Sequence, residues 1–143
     1  MPFVAYKTAV DAPADRLWSM MVEKIRRPDR YVPGVVSVRV VSEFGPASIE
    51  REMVVEASEG RKTVRELISA DETTRTVIFK LKDDPVFTGY VVNMLFEENG
   101  MVQLDYTMHW TTKSGQPEPD GPDFAAAIEG AVRQAKRMAE DRS

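Results

Sequence analysis

The spacing of apolar residues changes period twice along the chain. From Phe3 to Val10 large and small residues alternate, with Val4, Tyr6, Thr8 and Val10 on one side, as a half-buried strand requires. Ala12-Pro13 interrupts that run. Proline is favoured at the first helical position, and Asp15 then falls in the first turn, where a negative charge suits the helix dipole. Leu17, Trp18, Met21 and Ile25 follow at helical spacing, which predicts an amphipathic helix over Pro13–Arg27. Pro28 ends or kinks it, residues 29–32 leave room for one more turn, and Pro33-Gly34 punctuates. From Val35 the period becomes two. Strands are predicted over 35–43, 49–56, 62–70, 75–82, 87–98 and 101–112, closed by turn residues at Gly45-Pro46, Glu59-Gly60, Asp71–Thr74, Asp83–Pro85 and Asn99-Gly100. Connections this short predict an antiparallel meander. A polar loop over 114–122 follows, then Asp123 as a helix cap. In the last helix Phe124, Ile128, Ala131, Ala135 and Met138 share one stripe. The predicted class is α+β.

Turns set register, and register sets faces. With Asn99-Gly100 as a two-residue turn, Glu98 pairs with Met101. Leu95 then opposes Leu104, Asn93 opposes Tyr106, Val91 opposes Met108, and Gly89 opposes Trp110, all on one mostly apolar face. Tyr90 and His109 fall on the other face. With Glu59-Gly60 as a two-residue turn, Val55 opposes Val64, Met53 opposes Glu66, and Arg51 opposes Ile68. Val77, Phe79 and Leu81 continue that face if Asp71–Thr74 is a four-residue loop. The inward face therefore holds Arg51, Glu66, Asn93 and Tyr106, which a plain hydrophobic core would not select. Arg51 and Glu66 become diagonal neighbours on adjacent strands. A buried charge must be paired or must face water or a ligand. A bent sheet with a hollow at one end accommodates these groups economically.

Composition narrows the function classes. Nineteen Lys and Arg against 23 Asp and Glu leave a net charge of −4, so the basic face of a sequence-blind nucleic-acid binder is not expected. With no cysteine and one histidine, thiolate nucleophiles, disulfides and multi-histidine metal sites are excluded, and no cofactor is expected. No apolar run approaches the roughly 20 residues of a membrane helix. Met1-Pro2-Phe3 lacks the start of a secretory signal, so a cytoplasmic compartment and no membrane insertion are expected. No boundary or repeat divides residues 1–143, which read as one domain.

The order of elements resembles the helix-grip fold of the START-like (SRPBCC) superfamily, and more narrowly its AtaL-like subfamily. The residues carrying the resemblance are Leu17-Trp18, Pro28 with Tyr31-Val32-Pro33-Gly34, Arg51-Glu52 and Arg65-Glu66. To these are added the Gly89 to Asn93 stretch and the alternation of Leu104, Tyr106, Met108 and Trp110. The superfamily includes plant pathogenesis-related allergens, lipid-transfer domains and polyketide aromatase/cyclases. The resemblance implies a curved seven-stranded antiparallel sheet, in the order β-α-α-β6-α, wrapped around a long C-terminal helix. It also implies an apolar ligand cavity between the two. It does not imply one chemistry, and no catalytic residue is carried over.

Two readings stand for each candidate. Arg51 with Glu66 is either an anchor for a ligand carboxylate, phosphate or phenolate, or a structural ion pair. Glu66 in a buried setting is also a candidate general base. Asn93 and Tyr106 either hold or polarise a ligand carbonyl or bond each other and nearby backbone. Trp18, Met53, Phe79, Trp110 and Phe124 either wall a pocket or fill the core. Arg26, Arg27 and Arg30 either meet an anionic partner or form a solvated helix end. On the outer face Val54, Leu67, Ile78, Tyr90, Val92, Met94 and Phe96 suggest a homodimer packed through the convex side of the sheet. The expected function is binding of a small, largely apolar molecule with a polar or acidic group. The alternative is a cyclase- or aromatase-like enzyme working in the same cavity on a polyketide-like substrate.

Overall fold

A computed structural model describes residues 3–45, 48–57, 60–115 and 124–141. Strand β1 (Phe3–Val10) is followed by helix α1 (Ala14–Arg26) and a 3-10 turn (Pro28–Arg30). The meander comprises β2 (Val35–Gly45), β3 (Ser48–Ala57), β4 (Gly60–Asp71), β5 (Thr76–Leu81), β6 (Phe87–Glu98) and β7 (Met101–Thr112), and helix α2 (Phe124–Glu140) ends the order. The strands form one antiparallel sheet in the order β1-β7-β6-β5-β4-β3-β2. This is the curved seven-stranded sheet with a C-terminal helix expected of a helix-grip protein.

The helix ends follow from local chemistry. Pro13 is extended and its carbonyl accepts the first helical bond, from Leu17 N–H. Pro28 lacks an N–H and pushes Arg27 out of helical geometry, so α1 stops one residue short of the predicted Arg27. Helix α2 packs on β1 and β7, and α1 on β6. Arg16 joins the two helices by donating to the carbonyls of Met138, Ala139 and Asp141 at the C-terminal end of α2. On α2 the buried stripe is Ile128, Ala131, Val132, Ala135 and Ala139. Phe124 and Met138, expected on that stripe, are only half-buried. The expected cap Asp123, most of the 114–122 loop, and Pro46 and Glu59 of the expected turns lie outside the described residues.

The β6–β7 register is the expected one: Asn93 opposes Tyr106, Gly89 opposes Trp110, and Tyr90 opposes His109. Two other registers are offset by two residues from expectation. Arg51 lies directly opposite Glu66, Met53 opposite Val64, and Ala57 opposite Gly60. The loop between β4 and β5 has the expected four residues, but they are 72–75, because Asp71 pairs with Thr76. An offset of two leaves every side chain on its expected face. In β2 the expected alternation fails. Three register shifts leave Val36, Val41 and Phe44 as extra residues opposite β3, and all three are exposed.

Gly89 carries a requirement that no other residue meets. Its φ is +127°, and a Cβ there would stand 1.8 Å from the carbonyl oxygen of His109 on β7. Among the described residues, no helix is long and apolar enough to cross a membrane.

Candidate functional site

The inner face of the sheet carries a buried polar cluster beneath the end of α1. Arg51 and Glu66 face each other on β3 and β4, with Arg51 Nη2 2.6 Å from Glu66 Oε1 and side chains only 3% and 6% exposed. Arg51 Nη1 donates to the carbonyls of Lys24, at 3.2 Å, and Ile25, at 2.9 Å. Those carbonyls belong to the last turn of α1, which lacks intrahelical donors. The guanidinium therefore fastens the helix end to the sheet, and of its nitrogens Nε alone is buried without a partner. This geometry carries the structural reading of the pair.

Lys24 enters the same cluster from α1. It lies at helical spacing from Leu17 and Met21, and its side chain turns inward with theirs. Its Nζ donates to Asn93 Oδ1 at 2.5 Å. The ammonium nitrogen also sits 4.0 Å from the ring centre of Tyr106 and 5.0 Å from that of Phe79. The Arg51 guanidinium also lies over the Phe79 ring, at 5.5 Å. Burial, and then the neighbouring Arg51, push the Lys24 amine down from its ordinary value of 10.5 to about 7, against a smaller upward pull from Glu66. Burial likewise pushes the Tyr106 hydroxyl up, so it stays protonated at neutral pH. Asn93 is 1% exposed and its Nδ2 has no partner.

A second cluster lies four residues further along β7. The Trp110 ring is 5.4 Å from Phe87 and 5.6 Å from Phe124, and Lys62 Nζ stands over Phe87 and Trp110 at 5.1 and 5.6 Å. Lys62 pairs with Asp84 at 3.1 Å. Trp110 Nε1 is buried and unpartnered. Met53, Val55, Lys62 and Val91 point to the inner side by register yet are only half-buried. Val91 is the telling case, since it lies mid-sheet between Phe79 and Met108. A mid-sheet residue on a concave face retains accessible surface only where the space in front of it is not filled.

Of the sequence-predicted residues, Arg51, Glu66, Phe79, Asn93 and Tyr106 meet around Lys24. Trp110 and Phe124 meet in the aromatic cluster, and Met53 lies beside Arg51 on β3. Trp18 stands apart, buried beneath Arg75, whose guanidinium is 5.6 Å from its ring. Lys24 itself was not among the expected residues. The signal was its place in the Leu17, Met21, Lys24 spacing, where a charged side chain interrupts the apolar stripe. His109 is on the outer face as expected, stacked on Tyr90 at 4.8 Å. Arg26, Arg27 and Arg30 are each paired with a carboxylate, from Glu43, Asp29 and Glu23 respectively. Among the described residues, no group of three or more His, Asp or Glu is arranged to hold a metal ion. Two open grooves, of about 410 and 480 Å3, flank the start of α1 and contain none of the predicted site residues.

The model of one protein family, AtaL, described as acetylaranotin biosynthesis cluster protein L, matches residues 11–143. The chain belongs to the AtaL family. No curated protein matches it. Among solved structures, this AtaL-family chain is similar to the Zhui aromatase/cyclase from Streptomyces sp. R1128, with a TM-score of 0.78 and 19% identity over 99% of this chain and 94% of that one. It is also similar to ginseng major latex-like protein 151 from Panax ginseng, with a TM-score of 0.78 and 11% identity over 98% of each chain. The di-domain aromatase/cyclase StfQ from the steffimycin biosynthetic pathway matches with a TM-score of 0.77 and 18% identity, over 98% of this chain and 52% of that one. Identities this low show the helix-grip fold alone; chemistry has to be argued from the residues.

Proposed function

We propose that this AtaL-family protein binds a small, largely apolar molecule through an acceptor oxygen of a carbonyl, carboxylate or phenolate group at the inner wall of the sheet. One observation carries the reading. Three buried side-chain nitrogens on the inner strand faces, Arg51 Nε, Asn93 Nδ2 and Trp110 Nε1, are N–H donors without a partner. A buried donor without an acceptor costs roughly 1–3 kcal/mol, and a guest oxygen relieves that cost. The half-buried Met53, Val55 and Val91 supply apolar surface for the rest of the guest. The test is thermal shift and tryptophan fluorescence with 2-naphthoate and naphthalene. The expected result is stabilisation by the acid and little by the hydrocarbon. Trp110→Phe, which removes one donor and little volume, weakens binding about threefold to tenfold. No response to 2-naphthoate overturns the reading.

A second reading, a cyclase or aromatase acting on a polyketide-like substrate, is favoured by the likeness to two aromatase/cyclases and by the buried amine beside Asn93. It differs from the first in requiring that a linear poly-β-keto ester be consumed rather than only bound. We also place a second copy of the chain against the convex face, where Ile78 and Tyr90 are 43% and 41% exposed beside Val92 and Met94.

A further inference from the structure

The Lys24 carbonyl accepts from Arg51, while its side chain occupies a core position and reaches from α1 to Asn93 on β6. A methionine there would fill similar space without bringing an amine out of water. The amine is directed. Its Nζ bonds Asn93 Oδ1, while Nδ2 of that same amide is buried and unpartnered. A guest oxygen that accepts from Nδ2 would lie close to Nζ. The aromatic faces of Tyr106 and Phe79 cover the amine and exclude water from it. The one carboxylate of the cluster, Glu66, is engaged with Arg51 Nη2.

We propose that Lys24 is a nucleophilic amine that captures an aldehyde or ketone guest as an imine, with Asn93 Nδ2 holding the carbonyl oxygen. This rests on the reading that the inner wall takes a guest with an acceptor oxygen, and it names the oxygen as a carbonyl. The Nζ lone pair attacks the carbonyl carbon, and the carbon–oxygen π pair moves onto the oxygen bound by Asn93. The two protons of the amine leave with that oxygen as water, and a carbon–nitrogen double bond remains. No oxidant or further reactant is needed. The unprotonated amine is available near neutral pH because burial and Arg51 disfavour its cation. The charged or titratable groups facing it are Arg51 on β3, Glu66 on β4 and Tyr106 on β7, and Tyr106 in turn faces Tyr31.

The test treats the full chain with hexanal and sodium cyanoborohydride, which reduces an imine to a stable secondary amine, and maps the hexylated peptides by mass spectrometry. At pH 7 the hexyl group is expected on Lys24 at least tenfold ahead of the exposed Lys7, Lys80 and Lys113. Lys24 labelling should be half-maximal near pH 7 and level above it, while surface labelling keeps rising with pH. Lys24→Met should lose that label while keeping the folded circular dichroism spectrum of the parent. Labelling of the surface lysines with Lys24 untouched overturns the proposal. If 2-naphthoate binds in that case, the binding reading survives alone. If it does not, both fall. Hexylated Lys24 without any 2-naphthoate binding supports the amine and overturns the broader reading.

Discussion

Lys24 and Arg51 place two cations in one buried cluster whose only carboxylate is Glu66, which is paired to Arg51. The fold relieves that imbalance by favouring the neutral amine, with a consequence for stability. In the unfolded chain Lys24 has its ordinary value of 10.5; in the folded protein it is about 7. Between those values the unfolded state holds a proton that the folded state lacks, so stability rises with pH across that window and is level below it. Lys24→Met removes this slope. Urea unfolding at pH 6.5 and 9.5 should show the variant gaining on the parent by a few kcal/mol at the lower pH and by much less at the higher. Arg51 behaves oppositely. Arg51→Met strands Glu66 and releases the end of α1, and should destabilise by about 3–5 kcal/mol. Adding Glu66→Leu should return much of that loss, as measured in a double-mutant cycle.

At the level of strands and helices, Gly89 is the point of the β6–β7 pairing where the backbone leaves no room for a side chain. Gly89→Ala forces a Cβ into the His109 carbonyl at a backbone angle that side chains avoid, and should cost about 3 kcal/mol or more. Chemical denaturation measures it, with earlier amide exchange at Trp110 and Met108 as the local sign. Most elements were legible in the sequence because their periods were clear, and β1, β6 and β7 have the expected limits. Inner and outer faces were also legible, even where the β3–β4 and β4–β5 pairings were misplaced by two residues, since an even offset preserves them. That offset still mattered at the site, because it separates a diagonal Arg51–Glu66 pair from a direct one. Lys24 was not read as inward, because the helical stripe was traced through its apolar members only. The irregular β2 was illegible for a different reason: a bulge is set by its partner strand, which the residues of β2 do not specify.

For the whole molecule, curvature separates a concave wall of polar groups set among aromatics from a convex surface with Ile78, Tyr90, Val92 and Met94. If two copies meet through the convex side, light scattering at tens of micromolar should give twice the chain mass, and Ile78→Lys with Tyr90→Lys should return the monomer without loss of thermal stability. A monomeric parent removes the second copy from that face. The sheet is open, so its two outermost strands bear on solubility. On β2 the kinks at Val36, Val41 and Phe44 break the regular row of unpaired amides and carbonyls that an incoming strand would need. Of the four exposed apolar residues of this outermost strand, Val36, Val41 and Phe44 lie at irregular points, which denies fibre growth a regular template there.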